Sequence, residues 1–272
     1  MKQRILVALP LIALLAVVLV FDGVVRVIAF SLFAIVSVYE MQNAFQTKGY
    51  HVFAGPAYLF AAGYNALTKY CGTLWLMLLG FVCLLLIAGE RIFNKKRTTE
   101  ESLMSLLIFV YPLMFFVALM LISEYVDPVL SLSPLLMTFA GPLVGDTLAY
   151  FIGKFFGKRK LCPEISPKKT VAGSVAGLFG GVLGGVLVYF IQTWWGGSVA
   201  WFHLMIIGLL CGGIGQIGDL FASSIKRWAG VKDFGTIFPG HGGVLDRVDS
   251  VLMCAPVVLI YCCIVFNNII AL

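Results

Sequence analysis

Residues 103–123, LMSLLIFVYPLMFFVALMLIS, contain no charged side chain over a length that crosses a bilayer as helix. About 20 residues rising 1.5 Å each span the roughly 30 Å of hydrocarbon in a membrane. Similar stretches lie at about 24–40, 52–68 and 71–89 on one side, and at 129–152, 173–194, 201–224 and 250–271 on the other. A further one, about 5–21, completes the set. Arg26 interrupts the span at 24–40, and Gly55, Pro56 and Gly63 weaken the span at 52–68, though membrane helices tolerate such residues better than soluble ones.

Composition agrees with this reading. Hydrophobic residues make up 61% of the 272 and charged residues 12%, and mean hydropathy is +1.00. A soluble globule of that make-up would be coated in exposed apolar surface. Strand-like alternation is absent, which argues against a membrane barrel. The chain therefore reads as an all-α, polytopic integral membrane protein of about nine transmembrane helices, with the N-terminus cytoplasmic. In that layout every Lys and Arg except Arg26 and Lys69 falls on the inner side, as the positive-inside rule requires. Topology thus accounts for most of the net charge of +6, and no nucleic-acid partner is implied. The N-terminal stretch begins like a signal peptide but lacks a small-x-small cleavage site, so an uncleaved first helix is expected. The seven Cys show no CxxC and lie mostly inside predicted spans, which suggests buried apolar thiols rather than zinc sites or disulfides.

Polar chemistry is confined to the second half. Residues 1–128 show no ionisable group that clearly sits mid-membrane and no motif tied to chemistry, whereas 129–272 carry the motifs and two basic cytoplasmic loops, 153–172 and 225–249. Gly173, Gly177, Gly181 and Gly185 stand four apart on one helical face, a groove for a neighbouring span or for a second subunit in a homodimer. Asp146 and Asp219 each lie within an apolar span, where an uncompensated carboxylate costs about 2.5–3.5 kcal/mol at the centre. For Asp146 the alternatives are a helix neighbour such as Thr147 or Tyr150, or a metal, substrate or proton role. Gly215, Asp219, Ser223 and Lys226 or Arg227 share one helix face that descends toward the water.

The run 223–249, SSIKRWAGVKDFGTIFPGHGGVLDRVD, is the densest polar segment of the chain. Asp246 and Asp249 are three apart, so on a helical turn they point the same way; helix capping needs only one of them. Two carboxylates near an intramembrane third suggest a divalent cation such as Mg²⁺, which takes one or two carboxylates and leaves other positions to phosphate and water. Between them, PGHGG at 239–243 offers backbone N–H groups from Gly242 and Gly243, with His241 as hydrogen-bond donor or proton carrier. Flanked by Lys226, Arg227, Lys232 and Arg247, the turn reads as a phosphate cradle. The other basic loop holds Ser166, Lys168 and Lys169 in SPKKT, a second anion-binding segment.

The pattern Ser223-x-Ile225-Lys226-Arg227-x4-Lys232-Asp233-x-Gly235-x2-Phe238-Pro239-x-His241-Gly242-Gly243-Val244-x-Asp246-Arg247-Val248-Asp249 resembles the signature of the CDP-diacylglycerol synthases, or phosphatidate cytidylyltransferases. Gly145-Asp146-Thr147 through Tyr150, and Ser166 to Thr170 through Gly173, are also similar to that family, whose bacterial form matches this compact length. The resemblance spans about 140–250; the first half matches in hydropathy and length alone.

The resemblance implies transfer of CMP from CTP to phosphatidic acid, giving CDP-diacylglycerol and pyrophosphate at the cytoplasmic side of a cell membrane, with Mg²⁺ and room for a second cation. It implies Asp219 and Asp246 as metal ligands with Asp249 in or beside the shell, Asp146 on the lipid side, and Lys226, Arg227 and Arg247 on phosphates. His241 would orient the turn or a phosphate. Ser166, Lys168, Lys169, Ser223, Lys232, Asp233, Gly242 and Gly243 complete the expected substrate contacts. A cation- or proton-coupled transporter using Asp146 and Asp219 is the competing reading. The CDP-alcohol phosphotransferase pattern, Asp-Gly-x2-Ala-Arg, is absent.

Overall fold

A computed structural model describes residues 21, 23–125, 132–238, 240 and 242–266. Nine α-helices follow one another among these residues: α1 (Val24–Thr47), α2 (Gly55–Cys71), α3 (Thr73–Phe93), α4 (Thr99–Ile108), α5 (Phe115–Tyr125), α6 (Ser133–Phe156), α7 (Val171–Trp195), α8 (Trp201–Ala229) and α9 (Leu245–Val265). A π-helical segment, Phe109–Met114, joins α4 to α5 at Pro112, whose missing N–H breaks the regular ladder.

The all-α polytopic reading holds. Among the described residues seven helical stretches are long and apolar enough to cross a membrane, with α4 and α5 forming one of them, Thr99–Glu124. The expected count of nine is not reached there. The span at 5–21 lies outside the described residues, and α2 has 17 residues, roughly 26 Å of helix. Pro56, which weakens that span on paper, stands in the first turn of α2, where its missing N–H has no intrahelical partner to lose.

Two expected loops are shorter than their sequences suggested. Basic loop 153–172 contains the end of α6 and a two-stranded antiparallel hairpin, β1 (Lys160–Cys162) and β2 (Ser166–Thr170). Thr170 closes it by accepting the Gly173 N–H at 3.1 Å, capping α7. In the second loop α8 continues through Arg227 to Ala229 and α9 begins at Leu245, leaving 230–244 as connection.

Two compact units emerge. One joins the helices up to Met120 with Lys226–Val248; the other joins Leu121–Ile225 with the segment from Asp249 onward. In the first, Phe30, Val38, Met41 and Phe45 of α1 are buried. Phe60 of α2 stacks on Tyr64 (centroids 5.8 Å) and meets Phe109 edge-on at 5.0 Å. Leu74, Met77, Phe81 and Leu85 of α3 remain exposed, an apolar face suited to hydrocarbon. Arg26 and Glu40 of α1 are buried.

In the second unit the glycines of α7 decide the packing. A Cβ on Gly181 would meet the Gly208 carbonyl and, at 2.9 Å, the Gly212 Cα of α8. Gly180 and Gly184 lie as close to Gly145 and Ala140 of α6. Neighbouring spans of the same chain therefore fill the groove that the glycine ladder announced, and van der Waals contact between backbones holds it.

Candidate active site

In the second unit, hairpin β1–β2 and helices α6, α7 and α8 enclose a cleft of about 660 Å³. Asp146, Ser166, Lys168, Lys169 and Asp219 all line it, so five of the residues singled out from sequence meet in one place. Lys169 Nζ lies 2.7 Å from Asp219 Oδ2 and 3.4 Å from the Gln216 carbonyl. Ser223 Oγ donates to Asp219 Oδ1 at 3.3 Å, one turn along α8. The β2 strand ends beside this helix because Thr170 caps α7, and the cap fixes the direction from which Lys169 approaches.

Gln216 is a part of this site that sequence reasoning did not flag. Its amide donates to the Gly212 carbonyl at 2.7 Å and to the Ser174 carbonyl at 3.1 Å, bridging α8 and α7 in the cleft wall. The signal available was an amide one turn before Asp219 in the stretch 204–218, otherwise made of apolar residues and glycine. Asp249 is buried at the head of the same unit's α9 segment, its Oδ1 accepting the Ser250 N–H at 2.7 Å.

The first unit holds the other half of the signature. Lys226 and Asp246, both buried, form an ion pair of 2.7 Å. Asp246 Oδ2 also accepts the backbone N–H groups of Phe234 at 2.8 Å and Gly243 at 2.9 Å. Lys226 Nζ sits 5.3 Å from the Phe234 ring centroid, a cation–π contact. Lys226 thus has an internal partner, and the Gly243 N–H is donated to Asp246. Gly240 and Gly242 do take positive φ, 76° and 83°, as a tight glycine turn requires. His241 lies outside the described residues.

Arg227, Lys232, Asp233 and Arg247 are exposed on the surface of the segment. Arg227 Nη1 donates to the Val231 carbonyl at 3.1 Å. Among the described residues no three of His, Cys, Asp or Glu lie close enough to hold a metal. Asp246 is bound by one ammonium and two N–H donors. In the cleft, Asp146 and Asp219 share surroundings.

Comparison with known proteins bears on the whole chain. The cytidylyltransferase family profile matches residues 2–265. The chain belongs to the cytidylyltransferase family. Curated relatives named phosphatidate cytidylyltransferase include one from Bacillus subtilis (strain 168), 43% identical over 111 residues, which are 41% of this chain and 40% of that protein. One from Aquifex aeolicus (strain VF5) is 39% identical over 153 residues, 56% of this chain and 54% of the relative. One from Rickettsia bellii (strain RML369-C) is 34% identical over 189 residues, 68% of this chain and 80% of the relative. The chain thus spans about half the length, or less, of the first two relatives it matches. For a cytidylyltransferase, a cleft lined by carboxylates and lysines at the end of membrane helices is the right chemistry: it can hold phosphate oxygens and balance their charge.

Proposed function

We propose that this cytidylyltransferase transfers CMP from CTP to phosphatidic acid, releasing pyrophosphate and leaving CDP-diacylglycerol in the membrane. The carrying observation is the cleft in which Asp146, Ser166, Lys168, Lys169 and Asp219 meet at the ends of apolar helices. One reactant is lipid and the other a water-borne polyanion, and a polar cleft opening from spanning helices serves both.

The donor set fits a magnesium ion. Asp146 and Asp219 line the same space, and Mg²⁺ characteristically takes one or two carboxylates with phosphate and water filling the remainder. When bound, such an ion supplies Lewis-acid stabilisation of charge on phosphoryl oxygens. The chain's own residues do the rest. Lys169 holds Asp219 in place through its 2.7 Å contact. Lys168 and Ser166 offer donors to phosphate oxygens. A lipid phosphate oxygen attacks the α-phosphorus of CTP, the bond from that phosphorus to the bridging oxygen breaks, and the electron pair leaves on pyrophosphate. Phosphatidate is already an anion near neutral pH, so no general base is needed. The exposed cations Arg227, Lys232 and Arg247 steer the nucleotide from the cytoplasm. We assign Asp246 and Lys226 to holding the signature loop, and leave Asp249 to the head of α9.

Family membership gives the transporter reading no support. The test is pyrophosphate release by full-length protein in detergent micelles. Release from CTP that requires both phosphatidic acid and Mg²⁺ is expected; release independent of the lipid, or none, sinks the proposal.

A further inference from the structure

Glu40 lies in the half of the chain without motifs, yet it is 1% exposed and reaches a segment 204 residues further on. Its Oε1 accepts the Val244 N–H at 2.9 Å and its Oε2 accepts the Leu245 N–H at 2.8 Å. These are donors at the start of α9, which no intrahelical carbonyl can satisfy. Together with Gly243, whose N–H goes to Asp246, three consecutive amides of the signature are held by two carboxylates. Gly235 and Gly243 pack directly on the Glu40 carboxylate, and a Cβ at either would collide with it. The signature's glycines at 235 and 243 are thereby explained as room for Glu40.

The end of this helix and the turn after it grip the segment at a second point. Phe45 meets Trp228 edge-on at 5.8 Å, Tyr50 stacks on it at 5.5 Å, and Lys48 Nζ lies 5.7 Å from its ring centroid. Trp228 follows Arg227, and Leu245 precedes Arg247 by two residues. Both exposed arginines therefore stand next to positions that α1 fixes.

We propose that Glu40 is a positioning residue for nucleotide capture: it sets the start of α9 and with it the presentation of Arg247 and the loop cations to CTP. This rests on the functional reading above. Charge-assisted bonds from both oxygens make the carboxylate, and not just its shape, the working part; an amide in its place offers one acceptor and sets an N–H against an N–H.

The experiment compares wild-type full-length protein with Glu40→Gln and Glu40→Asp in detergent micelles. KM for CTP, KM for phosphatidic acid and kcat are measured, together with hydrogen exchange in peptides covering 232–247 and 160–170. For Glu40→Gln we expect KM for CTP to rise by about ten-fold, the loss of one charge-assisted bond. KM for phosphatidic acid should stay within about two-fold, a change too small to signal a lost contact. Exchange should quicken in 232–247 and stay unchanged in 160–170, and Glu40→Asp, which keeps the charge, should recover part of the CTP affinity. An unchanged KM for CTP, unchanged exchange in 232–247, or equal loss in both peptides overturns the inference. Failure of wild-type protein to release pyrophosphate falls on the functional reading instead, since the exchange comparison is read without turnover.

Discussion

Asp219 and Asp246 are both expected from the sequence to hold the metal, but their surroundings differ. Asp219 is part-exposed in the cleft and paired with Lys169. Asp219→Asn should lower turnover by about 10²–10³-fold, the range found when one charge-stabilising group is removed. Thermal stability in micelles should barely change, because a part-exposed pair contributes at most about 1 kcal/mol. Asp246→Asn removes the carboxylate from the buried Lys226 ammonium and weakens two backbone N–H bonds. It should destabilise by about 3–5 kcal/mol, read as a lowered unfolding temperature in the same micelles. A stable Asp246→Asn protein that has lost only its Mg²⁺ dependence would restore Asp246 as a ligand. Much of this scale was legible: Asp146, Lys168, Lys169 and Asp219 stood out because polar groups in apolar helices need a reason. Glu40 was hidden because the helix was taken to end at it, whereas α1 runs on to Thr47 with Met41, Ala44 and Phe45 buried beyond it.

At the scale of elements, the glycines of α7 set the distance between three helices. Gly181→Val should push α7 from α8 and cost about 1–3 kcal/mol or more, since the atoms it would meet are backbone and cannot turn aside. Gly89→Ala in α3, with nothing within 4 Å of an added Cβ, should be neutral or stabilising by up to about 1 kcal/mol. Unfolding temperatures of the two variants decide it. Thr170→Ala removes the α7 cap and should cost about 0.5–2 kcal/mol while disturbing Lys169 beside it, seen as a raised Mg²⁺ requirement. Hydropathy located every described span here, because apolar length is a property of the sequence alone. It missed the hairpin at 160–170, since KLC and SPKKT carry no alternation, and their pairing depends on the helices that bring the ends together.

For the whole molecule, the positive-inside rule predicts the hairpin on the cytoplasmic face and the end of α2 on the outer face. Cys162 in β1 is partly accessible and Cys71 at the end of α2 is exposed. A membrane-impermeant maleimide should label Cys162 in inverted vesicles and Cys71 in right-side-out vesicles, mapped by mass spectrometry. Labelling of Cys162 from outside would turn the proposed site away from its nucleotide. The division into units was beyond sequence reasoning, because a signature at 226–248 gives no sign that its structural partners are the first helices of the chain.

That long-range partnership has a consequence for biogenesis. Glu40 leaves the ribosome 204 residues ahead of Val244, a wait of about 10–40 s at ordinary bacterial elongation rates. Throughout that interval a carboxylate belonging to an early helix has no amide to receive, so the nascent protein must keep that end of α1 hydrated until translation nears its close. Chains arrested before Leu245 should therefore be poor at settling into the bilayer and ready prey for membrane proteases.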